Sequence, residues 1–195
     1  MTHVVEEKKW TYNDYLKLED DKRYEILGGK LFMMTPAPEF NHQRISIIVA
    51  TKFYSYVEKQ ALGFVVSAPT DVVLDEENVV QPDILFISKE NKDFIRKKGV
   101  FGPPDIVVEI VSPSTQYKDT YEKKDLYAKF GVKEYWIVNP YMKCIELFSL
   151  DEKGGYKLIS EGYMDEGGNK TIKSRVLKDF VLDLGEVFKE DIEIK

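Results

Sequence analysis

The chain holds a single cysteine, Cys144, in 195 residues. An intrachain disulfide is therefore impossible, and so is a cysteine-rich zinc site. The shortage fits a reducing compartment. Cys144 lies in an alternating apolar run, where a buried small hydrophobe is the expected role. No apolar run approaches the roughly 20 residues that a membrane helix needs. Met1 to Lys9 is polar and charged, unlike a secretory leader. The expectation is a cytoplasmic protein with no membrane partner. Positive charge is also short, with 28 Lys and Arg against 34 Asp and Glu, a net charge of -6. That counts against a broad phosphate-binding surface, which works by cations displacing counterions. It leaves room for a local basic groove. Lys89, Lys92, Arg96, Lys97 and Lys98 form a concentrated basic stretch, either such a groove or, more commonly, a solvated face. Repeats, low-complexity tracts, linkers, helix-turn-helix and zinc-finger patterns are also missing.

Apolar residues make up 43% of the chain and aromatics 13%. The length suits one domain, 1–195, that buries its own core. Thr11 followed by Asp14 reads as a capping-box start of a short helix through Leu18. Tyr24–Leu27 and Lys30–Met33 flank Gly28-Gly29 as a hairpin. Pro36, Pro38 and Asn41 mark a helix entry. Ile45, Ile48, Val49, Phe53 and Tyr56 continue at helical spacing to about Ala61, with Gly63 as the stop. Strands are expected at Gly63–Ala68, Asp71–Leu74 and Val79–Ile87. Asp105–Val111 is nearly all apolar, as in a central strand covered on both faces. A helix from about Asp119 to Phe130 stops at Gly131. Strand Glu134–Val138 follows, then an antiparallel meander of Cys144–Leu150 and Tyr156–Ser160. A helical end is expected at Leu182–Phe188. The fold class is α/β with α+β character, a mixed sheet flanked by helices.

Glu109 sits between Val108 and Ile110 in the most apolar strand, and Asp83 heads Ile84–Ile87. A carboxylate inside a sheet is costly unless paired or bound to a cation. One or two carboxylates suffice for Mg²⁺, which keeps several waters. Pairing with a lysine is the plainer alternative. Lys123, Leu126, Tyr127 and Phe130 share one helix face, so Lys123 points inward, either to neutralise Glu109 or to stabilise charge on a phosphate. His42, Ile45, Ser46, Val49 and Phe53 form another stripe, with His42 at its N-terminal end as a cleft or capping histidine. Glu25 extends the acidic cluster or is an edge carboxylate.

Tyr24–Gly29, His42–Ile45, Val80–Ile84, Pro104–Thr115, Lys123–Tyr127 and Glu134–Pro140 follow one another in an order that resembles the Uma2 family, also called DUF820. That family consists of restriction-endonuclease-like proteins placed in the PD-(D/E)xK nuclease superfamily. The resemblance implies a restriction-endonuclease-like fold, with Pro82-Asp83 as the "PD" and Glu109 as the "(D/E)". The superfamily lysine would fall at Val111. In the Uma2 pattern it stands on the following helix, at Lys123. Lys30 occupies a place where relatives carry an acidic residue, which leaves Glu25 as the match.

The expectation that follows is an endonuclease hydrolysing nucleic-acid phosphodiesters, DNA above all, with Mg²⁺ or Mn²⁺ on Asp83, Glu109 and the Ile110 carbonyl. Lys123, Glu25 and His42 complete the catalytic set. A homodimer would reach both strands. The alternatives are a non-catalytic module that binds DNA or protein, and a hydrolase of small phosphorylated substrates.

Overall fold

The computed structural model describes residues 8–19, 22–34 and 39–189. Pro36 and Pro38 lie outside them. Thr11 caps the one-turn helix α1 (Tyr12–Tyr15). Its hydroxyl accepts from the Asp14 N–H, and the Asp14 carboxylate accepts from the Thr11 N–H, the reciprocal pair that the spacing implies. Strands β1 (Tyr24–Leu27) and β2 (Lys30–Met33) form the expected hairpin, with φ of 58° at Gly28 and 76° at Gly29. Helix α2 (Phe40–Gln60) buries Ile45, Val49, Phe53 and Val57. Gly63 is not its stop. The helix ends at Ala61 in a left-handed conformation, and Gly63 opens β3 (Gly63–Ser67). A Cβ on Gly63 would lie 2.1 Å from the Ile87 carbonyl oxygen, so the glycine serves close strand approach.

β4 (Val72–Asp75), β5 (Asn78–Val80) and β6 (Ile84–Ser88) follow. The run Val79–Ile87, expected as one strand, is therefore two, and they belong to different sheets. Pro82 has no N–H for a ladder, and the Gln81 N–H is spent on Glu25 Oε1 at 3.1 Å. The chain crosses between sheets where Asp83 sits. A 3₁₀ turn (Lys89–Phe94) leads to the small hairpin β7 (Ile95–Arg96) and β8 (Gly99–Phe101). All five residues of the basic stretch are exposed here.

The central strand is β9 (Ile106–Ile110), and every residue in it is buried. A π-helical turn (Lys118–Lys123) runs into α3 (Lys124–Phe130), which ends at Gly131. β10 (Glu134–Asn139) lies parallel to β9. Such a pairing needs a crossover, here the helical segment. β11 (Cys144–Leu150) and β12 (Tyr156–Tyr163) make the antiparallel meander, and Cys144 is buried. The C-terminal part pairs β13 (Thr171–Lys173) with β14 (Val181–Asp183) before the one-turn α4 (Leu184–Val187). Leu182 is thus in a strand rather than in the expected terminal helix.

Two six-stranded sheets result, β2-β1-β5-β4-β8-β7 and β12-β11-β10-β9-β6-β3. One face of the second sheet packs on α2 and the C-terminal segment, through Phe53, Phe86, Val108, Trp136 and Phe180. Its other face packs on the first sheet and α3, through Leu27, Leu85, Val107, Tyr127 and Tyr135. Cover on both sides explains why β9 reads as an unbroken apolar run. Among the described residues, no helix is long and apolar enough to cross a membrane.

Asp105, just before β9, is a structural carboxylate. It accepts from the Ser88 N–H at 2.7 Å, from Lys133 Nζ at 2.6 Å and from Asn91 Nδ2 at 3.0 Å. Burial alone would raise its pKa, but Lys133 and the Ser88 and Asn91 donors outweigh that and hold it below the ordinary value. Its contribution to stability is therefore complete above the unfolded aspartate pKa of about 3.9. It is lost as pH falls through the lower folded value. Asp105→Asn should cost on the order of 1–3 kcal/mol at neutral pH and reduce the acid sensitivity of unfolding. Urea titrations from neutral to acidic pH check this. An unchanged pH profile in the variant would assign the acid transition to other groups.

Candidate active site

Extending the antiparallel register of β6 and β9, where Ile84 faces Val108, sets Asp83 opposite Glu109. Opposed residues share a sheet face, here the face turned to α3 and β1. Asp83 Oδ2 accepts the Ile110 N–H at 2.8 Å, which fixes the carboxylate at the sheet end. It also lies 3.3 Å from His42 Nε2, with Asp83 19% and His42 13% exposed. Burial disfavours the His42 imidazolium, but the Asp83 carboxylate outweighs it and the Ile110 carbonyl adds to it, so the His42 pKa lies above its ordinary value.

Lys123 is the centre of the inner wall. Its ammonium lies 2.7 Å from Glu25 Oε1, 3.1 Å from Glu109 Oε1 and 3.5 Å from Asp119 Oδ1, and its side chain is only 5% exposed. Burial opposes the charge, but Glu109, Glu25 and Asp119 together drive its pKa well above the ordinary value. Burial also lifts Glu109 well above its ordinary range, Lys123 pulling it down and Asp119, Asp83 and Glu25 pushing it up. Asp119 is raised for the same first reason. The Tyr127 hydroxyl donates to Glu109 Oε1 at 3.0 Å. Three carboxylates thus face Lys123, and one of them, Glu25, also pairs with its neighbour Lys118.

All of these groups except Tyr127 line one cavity of about 1210 Å³, together with Ile110 and the Ser112–Thr115 loop. The five side chains singled out from the sequence, Glu25, His42, Asp83, Glu109 and Lys123, meet in it. Glu25 is a member of the cluster rather than an edge carboxylate, being 2% exposed. Asp119, Lys118 and Tyr127 were missed. Asp119 stands four residues before Lys123, hence on the same stripe, and a stripe extended one turn back would have included it.

The oxygen-only acidic set suits a hard divalent cation such as Mg²⁺ or Mn²⁺. Asp119 Oδ1 is buried without a hydrogen-bond partner, its contact being the 3.5 Å ion pair with Lys123. Against this, no group of three or more His, Cys, Asp or Glu among the described residues is arranged around a common metal position. Asp83 and Glu109 instead hold the basic partners His42 and Lys123. The set therefore fits a cation taken with one or two carboxylates, the Ile110 carbonyl and waters, and it does not fit an all-protein cage.

Residues 12–185 match the profile of the Uma2 family, described as "Putative restriction endonuclease". An uncharacterized protein of Synechocystis sp., slr1290, is 26% identical over 156 residues, covering 78% of this chain and 80% of its own. A crystal structure from Anabaena variabilis, described as "a putative nuclease belonging to DUF820", superposes with a TM-score of 0.73 at 17% identity, covering 91% of this chain and 97% of that one. At that identity the likeness is one of fold.

Proposed function

This chain belongs to the Uma2 family, and from that premise we propose that it is a divalent-metal-dependent endonuclease cutting nucleic-acid phosphodiester bonds, with DNA as the substrate. The observation that carries the proposal is the opposition of Asp83 and Glu109 across β6 and β9 with Lys123 3.1 Å from Glu109. Asp83, Glu109 and the Ile110 carbonyl would hold Mg²⁺ or Mn²⁺. Such a cation supplies Lewis acidity at the phosphate and an acidified water. Asp83 is kept in place by the Ile110 N–H. Lys123 holds Glu25, Glu109 and Asp119 together and offsets their repulsion. His42, beside Asp83 on the open side, can donate a proton toward a leaving oxygen.

Purified protein incubated with supercoiled plasmid and Mn²⁺ should convert it to open-circle or linear DNA, and chelator should stop the conversion. Linear product at the outset is expected of the proposed homodimer, and open circle of one cleft acting alone. Turnover of free nucleotides without polymer cleavage would move the assignment to a small-substrate hydrolase.

A second reading is supported by the pairing of both ligand candidates with basic side chains, Asp83 with His42 and Glu109 with Lys123. In it the chain is a non-catalytic module that binds DNA or protein and keeps the cluster for structure. It expects DNA binding indifferent to chelator, and no cleavage with any metal.

A further inference from the structure

We propose that Lys118, and not Lys123, is the cation that touches the scissile phosphate; this rests on the nuclease reading above. Lys118 and Lys123 are the first and last residues of the π-helical turn. On an α-helix of 3.6 residues per turn, side chains five residues apart point about 140° away from each other. A π turn repeats at i to i+5 and is frequent at functional sites. It carries both lysines round to one face. The result is visible at Glu25, where Lys123 Nζ lies 2.7 Å from Oε1 and Lys118 Nζ lies 3.7 Å from Oε2.

The two ammonium groups are in opposite states. Lys123 is 5% exposed and faces three carboxylates within 3.5 Å. An ammonium has three N–H donors; the close contacts go to Glu25 and Glu109 and the remaining side faces Asp119 at 3.5 Å, so turning it toward a phosphate would strand three buried anions. Lys118 is 23% exposed and lines the same cavity. Its ion pair with Glu25 is long, and its ammonium rests 4.2 Å from the centroid of the Phe32 ring. That contact steers the side chain while leaving its N–H donors free to turn toward an incoming anion. Lys123 is thus a positioning residue that holds the acidic wall together, and Lys118 is the catalytic cation.

Lys118→Ala, Lys118→Arg and Lys123→Arg, compared with the wild-type chain, test this in three measurements. These are thermal melting, Mn²⁺-dependent plasmid cleavage, and anisotropy of a labelled DNA oligonucleotide over a salt series with Ca²⁺ as spectator cation. Lys118→Ala should melt like the wild type, cut about 10²-fold more slowly, and reduce the salt slope of binding by about one. Lys118→Arg should restore the slope, because the charge is kept, whereas a purely structural role would leave the slope unmoved throughout. Lys123→Arg should lower the melting temperature, because the larger head does not fit the enclosed position. Wild-type cleavage and wild-type salt slope in Lys118→Ala would overturn the assignment of Lys118 while leaving the nuclease reading intact. A wild-type chain that neither cuts nor binds DNA would overturn both.

Discussion

Asp83→Asn is expected to reduce Mn²⁺-dependent cleavage by on the order of 10³-fold or more while leaving the fold intact. Asparagine has nearly the volume of aspartate, and its amide oxygen can still accept the Ile110 N–H that Asp83 Oδ2 accepts at 2.8 Å. What disappears is the negative charge at the open end of the acidic wall, where Asp83 is 19% exposed. A readout independent of turnover is available. A cation that binds only the folded state raises stability by RT ln(1 + [L]/Kd), about 2.7 kcal/mol at a hundredfold excess over Kd. Mn²⁺ should therefore raise the melting temperature of the wild type and not that of Asp83→Asn. Equal Mn²⁺ shifts in the two proteins, together with equal cleavage, would remove Asp83 from the site.

Lys123→Met is expected to lose activity for a different reason. The side chain is nearly isosteric, but Glu25, Glu109 and Asp119 would be left buried with no ammonium among them. Removing one partner of a buried ion pair costs roughly 3–5 kcal/mol, and here one cation serves three carboxylates. Such a loss is a large part of the roughly 5–15 kcal/mol that a domain has. Urea unfolding gives the number directly. Adding Glu109→Gln to Lys123→Met should recover part of it, since the second change removes one stranded charge, and the coupling is read from the double-mutant cycle. A Lys123→Met protein within about 1 kcal/mol of wild type, the upper end of what exposed pairs contribute, would mean the cluster neutralises itself by protonation. The two variants therefore separate roles: Asp83→Asn tests the place for the cation, and Lys123→Met tests the wall that carries it.

Five side chains of the candidate site were legible from local pattern. Glu109 stood out because charge is rare inside an apolar strand, and Lys123 because it broke an apolar helix stripe. Both signals report a polar group forced to face a core, and such a group needs a partner wherever the chain goes. Asp119 was hidden as an apparent helix start, although it lies one turn before Lys123. Lys118 was not legible at all. Its place on the acidic face depends on the π turn, and helical spacing at 3.6 residues assigns it to another side. Gly63 and the Val79–Ile87 run were misread for one reason. Both lie where β3, β5 and β6 pack against partners far along the chain, and local propensity does not know the partner.

The sequence by itself determined the mixed α/β architecture, the hairpin at Gly28-Gly29, the buried central strand β9, the family, and the acidic-plus-lysine character of the site. Each is written in residue type and spacing, because burial selects residues one position at a time. The tertiary structure alone decided that the chain changes sheets at Pro82-Asp83, that Glu25 arrives from the first sheet to share Lys123 with Glu109 and Asp119, and that Lys118 stands beside them with an open ammonium. Those outcomes depend on the relative positions of segments distant in sequence and on one change of helical phase. Packing fixes both only when the whole core closes.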